Sequence, residues 1–326
     1  MPAPDFPPLF AFRFDRKGGA AAADLAVAEK DQLCWFHVRW EDPAGAQWLA
    51  GDAKIAPEVH DALTAPETRP RCTIMRTAHG EGALINLRGV NLHEDAEPED
   101  MISLRIWLEP DRIISTWRRP LNAIRDLMDG MKGGYGPVSP GDFVAKLALR
   151  IADSAEPVVA TLNEAVDSME EAVLATDPPQ GLRGQLADVR RTAIVLRRYM
   201  FPQRDALSTL AIEDLAWLSE RDRSKLREAT DRITRLAEEL DAIRERAAVV
   251  HDQLVERRAE AMNHHMLILA VVAAVFLPLG LLTGLLGINV GGIPGAQTDW
   301  AFWAVCGLLG VATVFNLWLY RRMKLI

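Results

Sequence analysis

The hydrophobic pattern divides the chain into two parts. Residues 1–262 mix apolar and charged positions and contain no apolar run long enough to cross a bilayer. By contrast, Met266–Leu286 and Trp300–Tyr320 are runs of twenty-one residues each without a charged side chain. A transmembrane helix needs about 20 apolar residues to cross ~30 Å of hydrocarbon. The pattern therefore predicts a membrane protein with two C-terminal spans behind a large soluble region.

Short apolar segments dominate the first third of the chain. Six of them follow one another from about Leu9 and are separated by Gly, Pro, Asp and Asn clusters: LFAFRF, LCWFHVRW, CTIMRTAHG, ALINLRGV, SLRIWLEP and RIISTW. This arrangement is typical of β-strands, and PEVHDALTAP is a short helix candidate between two of them. The pattern predicts a soluble domain of the α+β or α/β type over residues 1–140.

Helical spacing replaces the strand pattern after residue 141. A first helix is predicted over residues 142–176, where DPPQG breaks it. A second is predicted over Leu182 to about Tyr199 and ends before Pro202, because proline removes a helix hydrogen bond. A third run begins near Asp205.

A much longer helix is predicted to lead into the first apolar run. No Gly or Pro occurs between Arg221 and Glu260, so the helix can continue for roughly sixty residues. One heptad face is apolar, and such a face packs against other helices along its length. Residues 141–262 are therefore interpreted as a helical stalk. The heptad consists of Leu226, Ala229, Ile233, Leu236, Leu240, Ile243, Ala247, Val250 and Leu254.

A second heptad, made mostly of small residues, lies along one face of the first apolar run. In the stalk the same face carries Glu256, Asp252 and Glu245. Two interpretations stay open: close packing of small residues between helices, or a narrow ion pathway between copies of this helix with an acidic, cation-attracting funnel below it. Since two spans cannot enclose a pathway, the second interpretation requires several copies in cyclic symmetry. The small-residue stripe consists of Asn263, Met266, Ala270, Ala273, Leu277, Gly280, Gly284 and Gly287.

Basic residues flank the two apolar runs on one side only. Arg257 and Arg258 precede the first run, and the basic tail 321–326 follows the second, whereas the connecting loop 290–299 has no Lys or Arg. The positive-inside rule therefore places the loop outside and both termini in the cytoplasm. The N-terminal MPAPDFPPLF does not resemble a signal peptide, which agrees with a cytoplasmic soluble region.

Composition excludes several other functions. The 326-residue chain has a net charge of −8, which disfavours nucleic acid as a partner. The sequence contains no P-loop, HExxH or nucleophile motif, so we expect neither an enzyme nor a cofactor. Cys34, Cys72 and Cys306 are too far apart in sequence to form a local zinc site. His264 and His265 at the start of the first run are zinc-type ligands without a local partner set, so transient zinc sites in a pore or funnel are expected instead.

One short segment resembles a known family. FLPLGLLTGLLGIN, Phe276–Asn289, resembles the first membrane helix of the CorA family of divalent-cation transporters, which ends in a Gly-x-Asn signature. The usual signature is Gly-Met-Asn, and here it is Gly287-Ile288-Asn289. The longer GINVGGIPG is similar to the zinc-transporting ZntB branch of that family.

The resemblance implies a homopentamer whose first spans line a central pore. Gly287, Ile288 and Asn289 would form the selectivity filter at the outer mouth, and Asn263 would form an inner polar ring. The implied function is Zn²⁺ uptake across a bacterial inner membrane, with proton coupling proposed for that branch. Two alternatives remain: a magnesium, cobalt or nickel channel of the CorA type, and a membrane-anchored scaffold or regulator.

The expected fold is thus an α+β membrane protein that assembles into a homopentameric funnel, with itself, membrane lipid and divalent cations as its partners. Its expected parts are a cytoplasmic α/β domain over 1–140, a helical stalk over 141–262, a pore-lining helix over 263–289, a periplasmic loop over 290–299, a second span over 300–320 and a basic tail over 321–326.

Overall fold

The computed structural model describes most of the chain. The described residues are 6–25, 32–66, 69–78, 80–175, 179, 181–287, 295 and 298–322. The chain divides into two compact units, Met1–His251 and Asp252–Ile326. The first unit contains a sheet and most of the helices, and the second contains the two apolar helical segments.

A seven-stranded sheet forms the centre of the first unit, in the order β2-β1-β3-β7-β6-β5-β4. Five of the six pairings are antiparallel, and β3 and β7 pair in parallel. All six predicted strands are confirmed, whereas the sequence pattern missed β2, whose three alanines carry no strand signal. The strands are β1 Leu9–Phe14, β2 Ala20–Ala22, β3 Leu33–Arg39, β4 Arg71–Thr77, β5 Gly80–Gly89, β6 Ile102–Leu108 and β7 Arg112–Trp117.

Seven helices accompany the sheet in the described part of the chain. The short candidate PEVHDALTAP is confirmed as the helix Pro57–Thr64. The pattern missed the helix Pro43–Ala50, which lies between two strands, and the helix Asn122–Lys132, which follows the last strand. The predicted long helix is confirmed as α6, which has 68 residues. The helices are α1 Pro43–Ala50, α2 Pro57–Thr64, α3 Asn122–Lys132, α4 Pro140–Leu174, α5 Leu182–Ile212, α6 Glu220–Gly287 and α7 Ala301–Arg322.

The prediction that a helix ends before Pro202 is wrong. α5 continues through this proline to Ile212, so the separate run expected from Asp205 belongs to the same helix. Met200 and Gln203 are fully buried on either side of Pro202, and the Gln203 Oε1 accepts a hydrogen bond of 2.6 Å from the Arg88 N–H. A proline inside a helix costs about 3 kcal/mol. Burial on both sides of it offsets that cost.

The sheet is covered on one face by the two short helices. Trp48 and Leu49 of α1 and Val59 and Leu63 of α2 pack in one apolar cluster with strand residues that include Trp107. A buried polar group lies elsewhere in the sheet, where the Trp35 Nε1 donates to the Ser115 Oγ over 2.7 Å. The His37 Nδ1 lies 2.6 Å from the same hydroxyl oxygen, so the serine links two buried rings.

The apolar heptad of α6 is buried as predicted. All nine positions from Leu226 to Leu254 are 0–4% exposed. On its polar side, α6 is joined to α4 by two arginines that are two heptads apart: Arg232 pairs with Asp153 and Glu156, and Arg246 pairs with Asp167 and Glu170. Both members of each pairing advance by fourteen residues, so α4 and α6 run in the same direction.

A buried carboxylate fixes the beginnings of α4 and α6 together. Asp142 is fully buried and accepts from the Lys225 Nζ at 2.5 Å, the Lys146 Nζ at 3.0 Å and the Val138 N–H at 3.0 Å. Burial raises the pKa of Asp142, but these hydrogen bonds outweigh burial, and the pKa lies below its ordinary value. Asp142 therefore stays charged and paired in the folded protein.

We expect His37 to make the first unit sensitive to acid. Burial lowers its pKa from 6.5 to about 3, so below pH 6.5 the unfolded chain binds a proton that the folded chain does not. Stability is therefore lost as the pH falls from 6.5 towards 3, by about 2 kcal/mol at pH 5. Thermal unfolding of the full-length protein in detergent, followed by tryptophan fluorescence between pH 7.5 and pH 5, measures this loss.

His37→Phe keeps an aromatic ring against Trp117, which stacks on the histidine at a centroid distance of 5.7 Å. This variant should lose less stability on acidification than the unmodified protein. His60→Gln changes a partly exposed histidine on α2 and is the control. It should lose as much stability between pH 7.5 and pH 5 as the unmodified protein. If the stability of His37→Phe depended on pH as strongly as that of the unmodified protein, His37 would not be the cause of the acid sensitivity.

Candidate functional site

Two apolar helical segments form the second unit. α6 and α7 both contain a segment long and apolar enough to cross a membrane, and no part of either apolar window is buried within the chain. Exposed apolar segments of this length are unfavourable in water. The length and composition of the helices thus agree with the two predicted spans.

Every described position of the small-residue stripe is exposed in the single chain. The partly covered positions of the same segment are Leu267, Val271, Ala274, Val275, Leu279 and Leu282. At about 100° per residue these positions lie roughly opposite the stripe. The stripe therefore belongs to the side of α6 that a single chain leaves uncovered.

Large apolar side chains of α6 are exposed as well, including Phe276 and Leu281. Exposure alone therefore does not separate a pore face from a lipid face. The stripe has mostly smaller side chains than these positions, and it contains glycines at positions 280, 284 and 287. A Cβ added at Gly280, Gly284 or Gly287 would meet no atom within 4 Å in the described part of the chain. The small size is thus not a requirement of packing within the described part of one chain.

The outer end of the site lies largely outside the described residues. Gly287 is the last residue of α6 and is exposed. Ile288 and Asn289, which complete the Gly-x-Asn signature, lie outside the described residues, as do residues 290–294. The filter assignment therefore stays a prediction from the resemblance.

The inner end of the apolar segment carries polar side chains. Asn263 is exposed, and the rings of His264 and His265 are 6.4 Å apart between centroids. Within the described residues, no cluster of three or more His, Cys, Asp or Glu side chains could hold a metal ion.

The acidic face of α6 is exposed at Glu245, Asp252 and Glu256. Such a row fits either a solvated helix face or the wall of a cation-attracting funnel, and both interpretations from the sequence stay open. The two arginines that join α6 to α4 were missed by the sequence analysis. Their acidic partners Asp153 and Asp167 are fourteen residues apart in the sequence, as are the two arginines. This shared spacing identifies the partners only once α4 and α6 are known to be neighbours.

Comparison with known proteins agrees with this architecture. Residues 30–322 match the family described as CorA-like Mg2+ transporter protein. The zinc transport protein ZntB of Yersinia pseudotuberculosis is 34% identical over 317 residues, which cover 97% of this chain and 95% of the relative. The divalent cation transporter CmaX of Pseudomonas aeruginosa is 38% identical over 313 residues, which cover 95% of this chain and 93% of the relative.

A solved structure extends the agreement to three dimensions. The structure of the full-length CmaX protein matches with a TM-score of 0.83 at 37% sequence identity, and 97% of each chain is covered. A soluble α/β domain, a long helix and two apolar C-terminal helices thus define a membrane transporter for divalent cations. The chain belongs to the CorA-like Mg²⁺ transporter family, as the resemblance of residues 276–289 predicted.

Proposed function

We propose that the protein carries Zn²⁺ into the cytoplasm through a central pore of a homopentamer in the bacterial inner membrane. The observation that supports this most strongly is the identity of 34% over nearly the whole chain with a relative named as a zinc transport protein. The glycine-rich GINVGGIPG segment, which is similar to the ZntB branch, agrees with it. Both termini face the cytoplasm in this proposal, because the basic residues flank the spans on that side.

The stripe of α6 lines the pore in this proposal. Small side chains leave room for a hydrated ion, and the exposed side of α6 is available to neighbouring copies. Asn289 would supply a ring of amide oxygens at the outer mouth, and Asn263 a second ring at the inner end. Amide oxygens accept hydrogen bonds from the water shell of a divalent ion without the tight binding of carboxylate ligands, which suits entry followed by release. In this proposal the cytoplasmic part consists of the domain 1–140, the stalk 141–262 and the tail 321–326. The membrane part consists of the pore helix 263–289, the outer loop 290–299 and the second span 300–320.

A broader selectivity is the second candidate. The family is described as a Mg²⁺ transporter, and one relative is named a divalent cation transporter without a stated metal. A ring of amides that contacts a hydrated ion discriminates weakly between divalent ions of equal charge. Selectivity is therefore the property that separates the two candidates.

Zinc uptake into proteoliposomes tests the proposed function. We expect Zn²⁺ uptake that a large excess of Mg²⁺ reduces little, and competition by Co²⁺ and Ni²⁺ is measured alongside it. Strong inhibition by Mg²⁺ would favour the broader channel, and no flux of any divalent cation would contradict transport altogether.

The same assay with the pH gradient imposed in both directions addresses proton coupling. Neither apolar run contains a carboxylate that could relay protons. Equal rates in the two directions would indicate a channel, and unequal rates a symporter.

Replacing the signature asparagine tests the pore mouth. Asn289→Ala should reduce zinc uptake by about tenfold or more, because each copy loses the amide that holds the hydrated ion at the entrance. Asn316→Ala is the matched control, since it removes an amide from α7. Uptake by Asn289→Ala at the level of the control would exclude the filter assignment.

Enlarging one glycine of the stripe tests the pore face. Gly280→Leu should block uptake because five leucine side chains would fill the proposed pore, whereas a Cβ added at this position meets no atom within 4 Å in the described part of the single chain. Gly310→Leu makes the same change in α7, where an added Cβ also meets nothing within 4 Å in the described chain. Proteoliposome uptake and the pentamer peak in size-exclusion chromatography should be measured together. Equal uptake by both variants, with both assembled, would place the pathway elsewhere.

A further inference from the structure

A basic pocket lies at one end of the sheet, within the first unit and outside both apolar helices. Its cavity has a volume of about 190 Å³ and is lined by four arginines, Arg88, Arg105, Arg118 and Arg119, with Asp100 as an opposing charge. Four positive and one negative side chain leave the lining with an excess of three positive charges. A pocket of this charge repels the divalent cations that the family transports.

The strand register explains why these arginines meet. Arg105 of β6 is the register partner of Asn86 in β5 and of Thr116 in β7, so the three side chains share one face of the sheet. Arg88 lies two residues beyond Asn86, and Arg118 two residues beyond Thr116, which returns both to the same face. The apolar cluster beneath α1 and α2 covers this face at Leu84, Trp107 and Ile114, one register row away. The arginines thus lie in the next two rows on this face, beyond the apolar cluster.

Arg105 is the residue that points to a ligand. It is 1% exposed, and its Nη2 donates to the carbonyl oxygens of Ala65 and Pro66 just after α2. Its guanidinium also lies 5.8 Å from the centroid of the Trp40 ring. Its Nε and Nη1, however, have no hydrogen-bond partner among the described residues. Buried donors without partners are costly, and guanidinium donors more than neutral ones.

The charged side chains near Arg105 do not neutralise its buried positive charge. Burial, followed by repulsion from Arg88 and Arg118, lowers the pKa of Arg105 to about 10, and Glu41 opposes this only in part. Glu41 is itself engaged, since it accepts from the Arg118 Nε at 2.9 Å. Arg119 is exposed and forms no ion pair within the described part of the chain. The pocket therefore has donors and positive charge to spare.

We propose that this pocket binds a small phosphate-type oxyanion. A tetrahedral oxyanion presents several acceptor oxygens to converging guanidinium groups, and arginine binds phosphate with paired hydrogen bonds. The cavity has the volume for one phosphate group and a few waters, or for a small phosphorylated molecule. The anion would satisfy the Arg105 donors and reduce the repulsion among the arginines. The site does not depend on which cation the protein transports.

Calorimetric titration of inorganic phosphate into the full-length protein in detergent tests the site. The buffering compound should be an amine, and the buffer should contain no phosphate. Divalent cations are left out so that metal phosphates cannot form. A chloride titration at the same ionic strength is the reference. We expect saturable binding of one phosphate per chain. Sulfate should compete, because it presents the same tetrahedral oxygens.

Variants locate the binding. Arg119→Gln should raise the phosphate dissociation constant about tenfold, since it removes a charged donor without breaking an ion pair between described residues. Arg105→Lys keeps the charge but loses the fork of donors, and should weaken binding further. If this buried substitution prevents folding, Arg118→Gln replaces it as the second variant. Arg198→Gln, at an exposed position on α5 outside the pocket, is the matched control and should bind like the unmodified protein.

Two results would overturn the proposal. One is the absence of saturable phosphate binding to the unmodified protein, which would leave the pocket without its ligand. The other is unchanged binding in Arg119→Gln and Arg118→Gln, or an equal loss in Arg198→Gln, which would show that phosphate binds elsewhere or only through general charge. Zinc flux measured on the same preparations keeps a failure of this site distinct from a failure of transport.

Discussion

Burial of one heptad face of α6 is the constraint on which the remaining structure depends. An isolated helix draws little stability from its own hydrogen bonds, and its stability in a protein comes mainly from tertiary packing of an apolar face. In α6 the nine heptad positions from Leu226 to Leu254 are buried, and polar contacts to α4 and α5 flank them. Helical periodicity then decides which positions remain uncovered, and these include Glu245 and the small-residue stripe.

The arginine pairings give the packed helices their register. Apolar heptads alone tolerate a shift by one repeat, because leucine and isoleucine pack in similar ways at successive positions. Arg232 and Arg246 each contact two carboxylates of α4, and a shift of α6 would break both sets together. Ion pairs that are partly exposed contribute little stability by themselves. Their effect here is to favour one alignment of α4 and α6 over its neighbours.

The protein separates its charges by region. Acidic side chains occupy the exposed face of α6 below the apolar segment, whereas four arginines converge at one end of the sheet. A row of carboxylates attracts divalent cations, and a cluster of guanidinium groups attracts anions. The net charge of −8 conceals this arrangement, because it averages over both regions. The two regions therefore attract ions of opposite charge within one chain.

Sequence patterns alone predict the parts of this protein that follow a simple period. Six strands, the helix α6 with its buried heptad, and two apolar segments of membrane-spanning length were all predicted, because each is a local repeat of apolar residues. The family was also predicted, since the segment Phe276–Asn289 at the end of the first apolar run resembles it. The pore assignment of Asn263, Gly284 and Asn289 remains a prediction, because a single chain contains neither the neighbouring copies nor described positions for Asn289.

Tertiary structure alone decided the features that join distant segments. Pro202 lies inside α5 because buried residues on both sides outweigh its missing hydrogen bond, which no local pattern reveals. Likewise, the basic pocket exists because strand register aligns Arg88, Arg105 and Arg118, which are separated along the chain. Local patterns record how each segment buries its own apolar face, whereas side chains far apart in sequence meet only after the sheet has set their positions.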